Sequence, residues 1–133
     1  MATIFTKIIK GEIPSYKIAE NDQFYAFLDI NPLSKGHTLV VPKREVDYIF
    51  DLTDQELGDM HIFAKHVAAA IESVIPCKRI GVAVMGLEVP HAHIHLIPIT
   101  KESDMIISNP KLKLSDSEFK SIANSISDAC VIK

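Results

Sequence analysis

Three histidines alternate with apolar residues in the run His91-Ala92-His93-Ile94-His95-Leu96-Ile97-Pro98. On an extended strand successive side chains point to opposite faces. The three imidazoles therefore share one face, and Ala92, Ile94 and Leu96 enter the opposite, apolar layer. At about 3.3 Å rise per residue, successive rings stand about 6.5–7 Å apart, a row across which a phosphate group and its ester oxygens fit. Imidazole suits such a task. When neutral it is a nucleophile, and in either state it donates hydrogen bonds to phosphate oxygen. One ring nitrogen can attack while the other is held by an acceptor, and a phospho-imidazole divides one difficult displacement into two easier ones. Two other readings compete. As packing residues, three polar rings in an apolar strand would each need a partner. As metal ligands, His-x-His on a strand is a zinc geometry, with Glu88 and His37 as the further donors on offer.

The elements that must position this row are legible around it. Apolar residues at 4, 5, 8 and 9 predict a short N-terminal helix, stopped by Gly11 and Pro14. Two short strands are predicted between Tyr16 and Leu28, turning at Glu20-Asn21-Asp22-Gln23. Asn31 to Gly36 reads as a loop delivering the strand Thr38-Leu39-Val40-Val41, which ends at Pro42. Thr53-Asp54-Gln55-Glu56 is a capping-box start for the long central helix. Its apolar stripe runs through 57, 60, 64, 67, 68, 71 and 75, ending near Pro76. Ile62, Phe63, Ala69 and Ala70 read as apolar surface off that stripe, which asks for a second partner such as another subunit. His61 on the apolar side and His66 elsewhere read as structural. Strands are predicted at Arg79–Val84 and His93–Ile99. A second capping box, Ser115-Asp116-Ser117-Glu118, opens a C-terminal helix to about Ala129. The pattern predicts an α+β fold with a mainly antiparallel sheet. Met105-Ile106-Ile107 reads either as a strand extension or as a surface against a second subunit.

The chain has 133 residues, 47% hydrophobic and 23% charged, with a formal net charge of -3. Those values predict one soluble domain over residues 1–133 with a core of ordinary size. Without a Lys/Arg run, a nucleic acid polymer is not the expected partner, whereas a single nucleotide needs only a few aimed donors. Cys77 and Cys130 form no Cys-x-x-Cys pattern, which fits free thiols in a reducing compartment. Lys7, Lys10 and Glu12 interrupt any signal-peptide core, and no stretch approaches the roughly 18 apolar residues of a membrane span. The expected location is the cytoplasm.

The histidine run resembles the signature of the histidine triad family of nucleotide hydrolases and transferases. Ile4-Phe5-x-Lys7-Ile8-Ile9-x-x-Glu12-Ile13-Pro14 resembles the opening of its nucleoside phosphoramidase branch. Ala26-Phe27-x-Asp29-Ile30-x-Pro32 and His37-x-Leu39-Val40-x-Pro42-Lys43 resemble its nucleoside-binding segment. The matches run in order from residue 4 to 98. The resemblance implies a HIT-like fold: a mainly antiparallel five-stranded sheet with a long central helix and a C-terminal helix, in a homodimer that joins two sheets. It implies that His93 attacks the α-phosphorus, that His91 orients it, and that His95 and His37 contact the phosphate. Asp29 would take the ribose hydroxyls, and Ile4, Phe5, Ile8, Phe27 and Ile30 would form the slot for a purine base. It implies no metal and no other cofactor.

The segment Val84-Met85-Gly86-Leu87-Glu88-Val89-Pro90 departs from the pattern. It is shorter and lacks the Asn, and the Gln or Ser, that the family commonly carries before the triad. The expected activity is a purine nucleoside phosphoramidase passing through a nucleotidyl-histidine and releasing a nucleoside monophosphate. The alternatives are a dinucleoside polyphosphate hydrolase, a nucleotide-binding module without turnover, and a metal-dependent hydrolase.

Overall fold

A computed structural model of the protein describes residues 2–131. In chain order the elements are α1 (Ile4–Ile9), β1 (Lys17–Glu20), β2 (Phe24–Leu28), β3 (Thr38–Pro42), α2 (Asp54–Val74), β4 (Arg79–Ala83), β5 (Ile94–Ile99) and α3 (Asp116–Ala129). Short 3-10 turns lie at Ile49–Asp51 and Glu102–Met105. Every neighbouring strand pair is antiparallel, in the order β1-β2-β3-β5-β4. This is the five-stranded α+β arrangement expected from the sequence. Both capping boxes form as read, at Thr53 and Ser115. The β1–β2 turn is closed by Asn21 Oδ1, which accepts from the main-chain N–H groups of Gln23 and Phe24.

Strand alternation sorts the apolar residues into two layers. Phe24, Ala26, Leu28, Val40, Ala92, Ile94 and Leu96 face α2 and α3, meeting Met60, Phe63, Val67 and Ile71 and then Phe119, Ala123 and Ile126. Tyr25, Phe27, Leu39 and Val41 face the other way and meet Phe5 and Ile8 of α1. Because both faces are covered, all of β2 and β3 is buried. The helices close one side of the sheet, while α1 covers only part of the other. The histidines emerge on that partly covered side.

Four expectations are corrected. Phe63 and Ala70 are core residues: the buried face of α2 spans roughly 160° at 3.6 residues per turn and takes them in. Only Ile62, 56% exposed, and Ala69 stay outside it. His61 lies outside the core as well, exposed, with Nδ1 donating to Leu57 O. Strand β5 begins at Ile94 rather than His93, because the chain before it bonds outside the ladder, Ala92 N–H to Val46 O. Met105-Ile106-Ile107 does not extend a strand. It follows the second 3-10 turn, and Met105 packs over Gly81 of β4, where a Cβ would stand 2.4 Å from the Met105 sulfur.

Candidate active site

His93 is held by the chain that precedes it. Its Nδ1 lies 2.8 Å from the main-chain carbonyl of His91. A carbonyl only accepts, so Nδ1 carries the proton and Nε2 of the neutral ring keeps its lone pair. The ring stands edge-on to Phe5, with centroids 5.0 Å apart, and is 7% exposed at the wall of a cleft. The rings of His93 and His95 are also 5.0 Å apart, closer than a regular strand sets them, since His93 precedes the ladder.

His37 and His95 form a second directional chain. Leu33 N–H donates to His37 Nδ1 at 3.0 Å, which places the His37 proton on Nε2. That nitrogen is 2.9 Å from His95 Nδ1, so it donates there and leaves the His95 proton on Nε2. His95 thus presents an N–H from a neutral ring. Burial, and then His95 and Lys111, push His37 down to about 3; burial and then His93 push His95 down to about 4. Leu39 pairs with His95 across β3 and β5, so His37, just before β3, comes beside it. Gly36 makes this entry possible at a φ of 91°, with the Ile75 side chain 3.0 Å from where a Cβ would be.

Asp29 follows β2 and faces the same cleft. Its Oδ1 accepts from Asn31 N–H at 2.8 Å, and its Oδ2 lies 3.6 Å from His37 Nε2. Burial pushes the carboxyl up, opposed by the bond from Asn31. Asp29, His37 and His95 offer ligand atoms within 4.8 Å of one another. A cation there would have to displace the proton that His37 shares with His95. Glu88, the other acidic donor considered from sequence, stands apart as an exposed residue at the cleft mouth.

The cleft has a volume of about 630 Å³, of a size to take a nucleotide. Phe5, Ile8 and Phe27 form its buried wall, while Ile4 and Ile30 sit at the rim, Ile30 66% exposed. The structure thus brings His37, His93, His95, Asp29 and all five apolar candidates to one cavity. His91 is the exception. Fully buried, it does not line the cleft and acts on it through its carbonyl, which holds His93, and burial keeps its ring below the usual histidine range. Sequence reasoning missed Ile107 and Lys111 on the cleft wall. They lack periodicity or a motif, and the long-range bond from Leu112 N–H to Pro32 O ties their segment to the Asp29 loop. The segment 84–90 does border the cleft, turning at Gly86 with φ 75°. A second hollow of about 470 Å³ beside Ile75 and Pro98 has no histidine.

The HIT domain profile matches residues 10–102. The chain is 37% identical over 130 residues to the adenosine 5′-monophosphoramidase hnt1 of Schizosaccharomyces pombe, spanning 96% of this chain and 97% of that protein. It is 40% identical over 107 residues to the adenosine 5′-monophosphoramidase HNT1 of Saccharomyces cerevisiae, spanning 80% of this chain and 68% of that protein. The crystal structure of a HIT-like protein involved in cell-cycle regulation from Bartonella henselae, with an unknown ligand, superposes with a TM-score of 0.83. The identity is 30%, and the match covers 96% of this chain and 95% of that one. The chain belongs to the histidine triad (HIT) family.

Proposed function

We propose that this protein is a purine nucleoside phosphoramidase in which His93 is the nucleophile. One observation carries the reading: Nδ1–H of His93 is committed to the His91 carbonyl at 2.8 Å, which leaves a nucleophilic Nε2 at the wall of the cleft. The base lies in the slot of Ile4, Phe5, Ile8, Phe27 and Ile30, and Asp29 accepts from the ribose hydroxyls. His93 Nε2 attacks the α-phosphorus. A bond from Nε2 to phosphorus forms, the P–N bond breaks, and the amine leaves with a proton drawn from solvent. Water then attacks the nucleotidyl-histidine, the bond to Nε2 breaks, a proton returns to solvent, and a nucleoside monophosphate leaves. His95 Nε2–H donates to a phosphoryl oxygen as charge builds. His37, with both ring nitrogens engaged, acts through His95 rather than on the phosphate. Relatives named as adenosine 5′-monophosphoramidases support the substrate class.

The test is hydrolysis of adenosine 5′-phosphoramidate by wild type and His93→Ala, with EDTA present throughout. Turnover by the wild type alone is expected. Turnover by both proteins, or none without added metal, contradicts the reading. The altered segment 84–90 supports one alternative, a binding module, in which AMP binds both proteins and neither turns over. We further propose a cytoplasmic, single-domain subunit that dimerises through the open edge of β4. Val82 is 58% exposed there, and the edge has unpaired main-chain groups to offer a second copy.

A further inference from the structure

The N-terminal helix is tied to the triad by hydrogen bonds that the mechanism above does not use. Thr3 Oγ1 lies 2.8 Å from His91 Nδ1. On its other side, His91 Nε2 lies 2.7 Å from Pro42 O and must be the protonated nitrogen, because the carbonyl only accepts. In the neutral ring Nδ1 is then the acceptor, and the Thr3 hydroxyl is the donor. The same Thr3 oxygen accepts Thr6 N–H at 3.1 Å and so caps α1. Behind it, Glu45 Oε1 takes Thr3 N–H at 2.8 Å and the Thr6 hydroxyl at 2.6 Å. Thr6 Oγ1, whose own hydrogen goes to Glu45, is a second acceptor 3.3 Å from Thr3 Oγ1, but the Thr3 hydrogen goes to the nearer His91 Nδ1 at 2.8 Å.

His91 makes its contribution to the cleft through its carbonyl, the atom that fixes His93. Its main chain is held by His91 N–H to Val89 O and Ala92 N–H to Val46 O, outside the regular ladder. The peptide that carries this carbonyl is anchored at one end by its own N–H, that of Ala92, on Val46 O, and the His91 ring, clamped at both nitrogens, fixes the Cα at the other end. Phe5, two residues after Thr3, also packs edge-on against His91 and His93, at 5.7 and 5.0 Å. One hydroxyl thus sets the start of the helix that walls the base slot and the ring that carries the orienting carbonyl.

We propose that Thr3 is a positioning residue for the nucleophile: its hydroxyl, backed by Glu45, fixes the His91 ring and through it the carbonyl that orients His93. The proposal rests on the reading of His93 as nucleophile. Thr3→Val keeps the side-chain shape and removes the donor, whereas Thr3→Ser restores it. Thr3→Val is expected to lower kcat on adenosine 5′-phosphoramidate on the order of tenfold, as small misplacements of a reacting group do. KM should stay within about twofold, the split expected when an interaction matters chiefly in the transition state. Thr3→Ser should recover most of the loss. In ¹⁵N spectra of the imidazoles, His93 should pass from a single Nδ1–H tautomer in the wild type to a mixture in Thr3→Val. Wild-type kcat in Thr3→Val, a loss confined to KM, no recovery in Thr3→Ser, or an unchanged His93 tautomer would each overturn the proposal. If the wild type fails to hydrolyse the phosphoramidate, the functional reading falls, while the tautomer comparison still decides the role of Thr3.

Discussion

Each histidine of the cleft has its proton placed by a partner with a fixed role. The His91 carbonyl sets His93, and Leu33 N–H sets His37 and, through it, His95. The result is a lone pair on one ring and an N–H on the next, 5.0 Å apart between centroids. The alternation of the histidines was readable because strand periodicity demands it, and Ala92, Ile94 and Leu96 indeed fill the opposite layer. The tautomers were not readable, since they depend on contacts such as Thr3 to His91, 88 residues apart. Two predictions belong at this scale. Asp29→Ala should raise KM for the ribonucleotide by about tenfold or more, the worth of a hydrogen bond to a charged group. The KM for the 2′,3′-dideoxy analogue should not change; equal effects on both substrates would remove Asp29 from the ribose site. The second concerns pH. His95 and His37 hold their protons less tightly folded, at about 4 and about 3, than the 6.5 of a free histidine. Between these values the unfolded chain binds more protons, so stability falls as pH drops from about 6.5 towards 4. The slope is up to about 1.4 kcal/mol per pH unit for each histidine. Chemical denaturation across that range should show the decline, and His37→Asn should flatten it. An unchanged slope in His37→Asn would contradict this assignment.

The elements hold those residues by ordinary local rules, and most of the rules could be read in the sequence. Thr53 and Ser115 cap their helices with Glu56 and Glu118 reaching back, as the four-residue patterns required. Removing the first cap by Thr53→Ala should cost about 1 kcal/mol in denaturant unfolding. What escaped the sequence was decided by packing. Phe63 and Ala70 flank the stripe of α2, and the core that α2 forms with the sheet and α3 takes them in, Phe63 against Phe24 of β2. The segment carrying Ile107 and Lys111 has no period to read; it is held by Met105 over Gly81 and by the bond from Leu112 to Pro32. Gly36 is where element and site meet. Gly36→Ala forces a side chain into a positive-φ turn, 3.0 Å from the Ile75 side chain, and should destabilise by about 1–3 kcal/mol. It should also lower activity by moving His37 away from His95. Wild-type stability in this variant would mean that the turn relaxes freely.

At the scale of the whole molecule, the sheet is covered by α2 and α3 on one side and only partly by α1 on the other. That asymmetry leaves a cleft of about 630 Å³ open beside the histidines. A further open feature is the β4 edge, where Val82 is 58% exposed. Val82→Lys should turn a dimer into a monomer in light scattering while leaving the far-UV spectrum unchanged; a wild type that is already monomeric would remove the β4 interface. No helix among the described residues is long and apolar enough to cross a membrane. The proposed mechanism requires that His93 become covalently nucleotidylated. The most direct measurement is mass spectrometry of the whole protein, rapidly quenched in base during turnover of adenosine 5′-phosphoramidate and then digested. A gain of one AMP moiety on the peptide carrying His93, absent in His93→Ala, is the predicted result. Full turnover with no adduct, or an adduct on a peptide lacking His93, would contradict it.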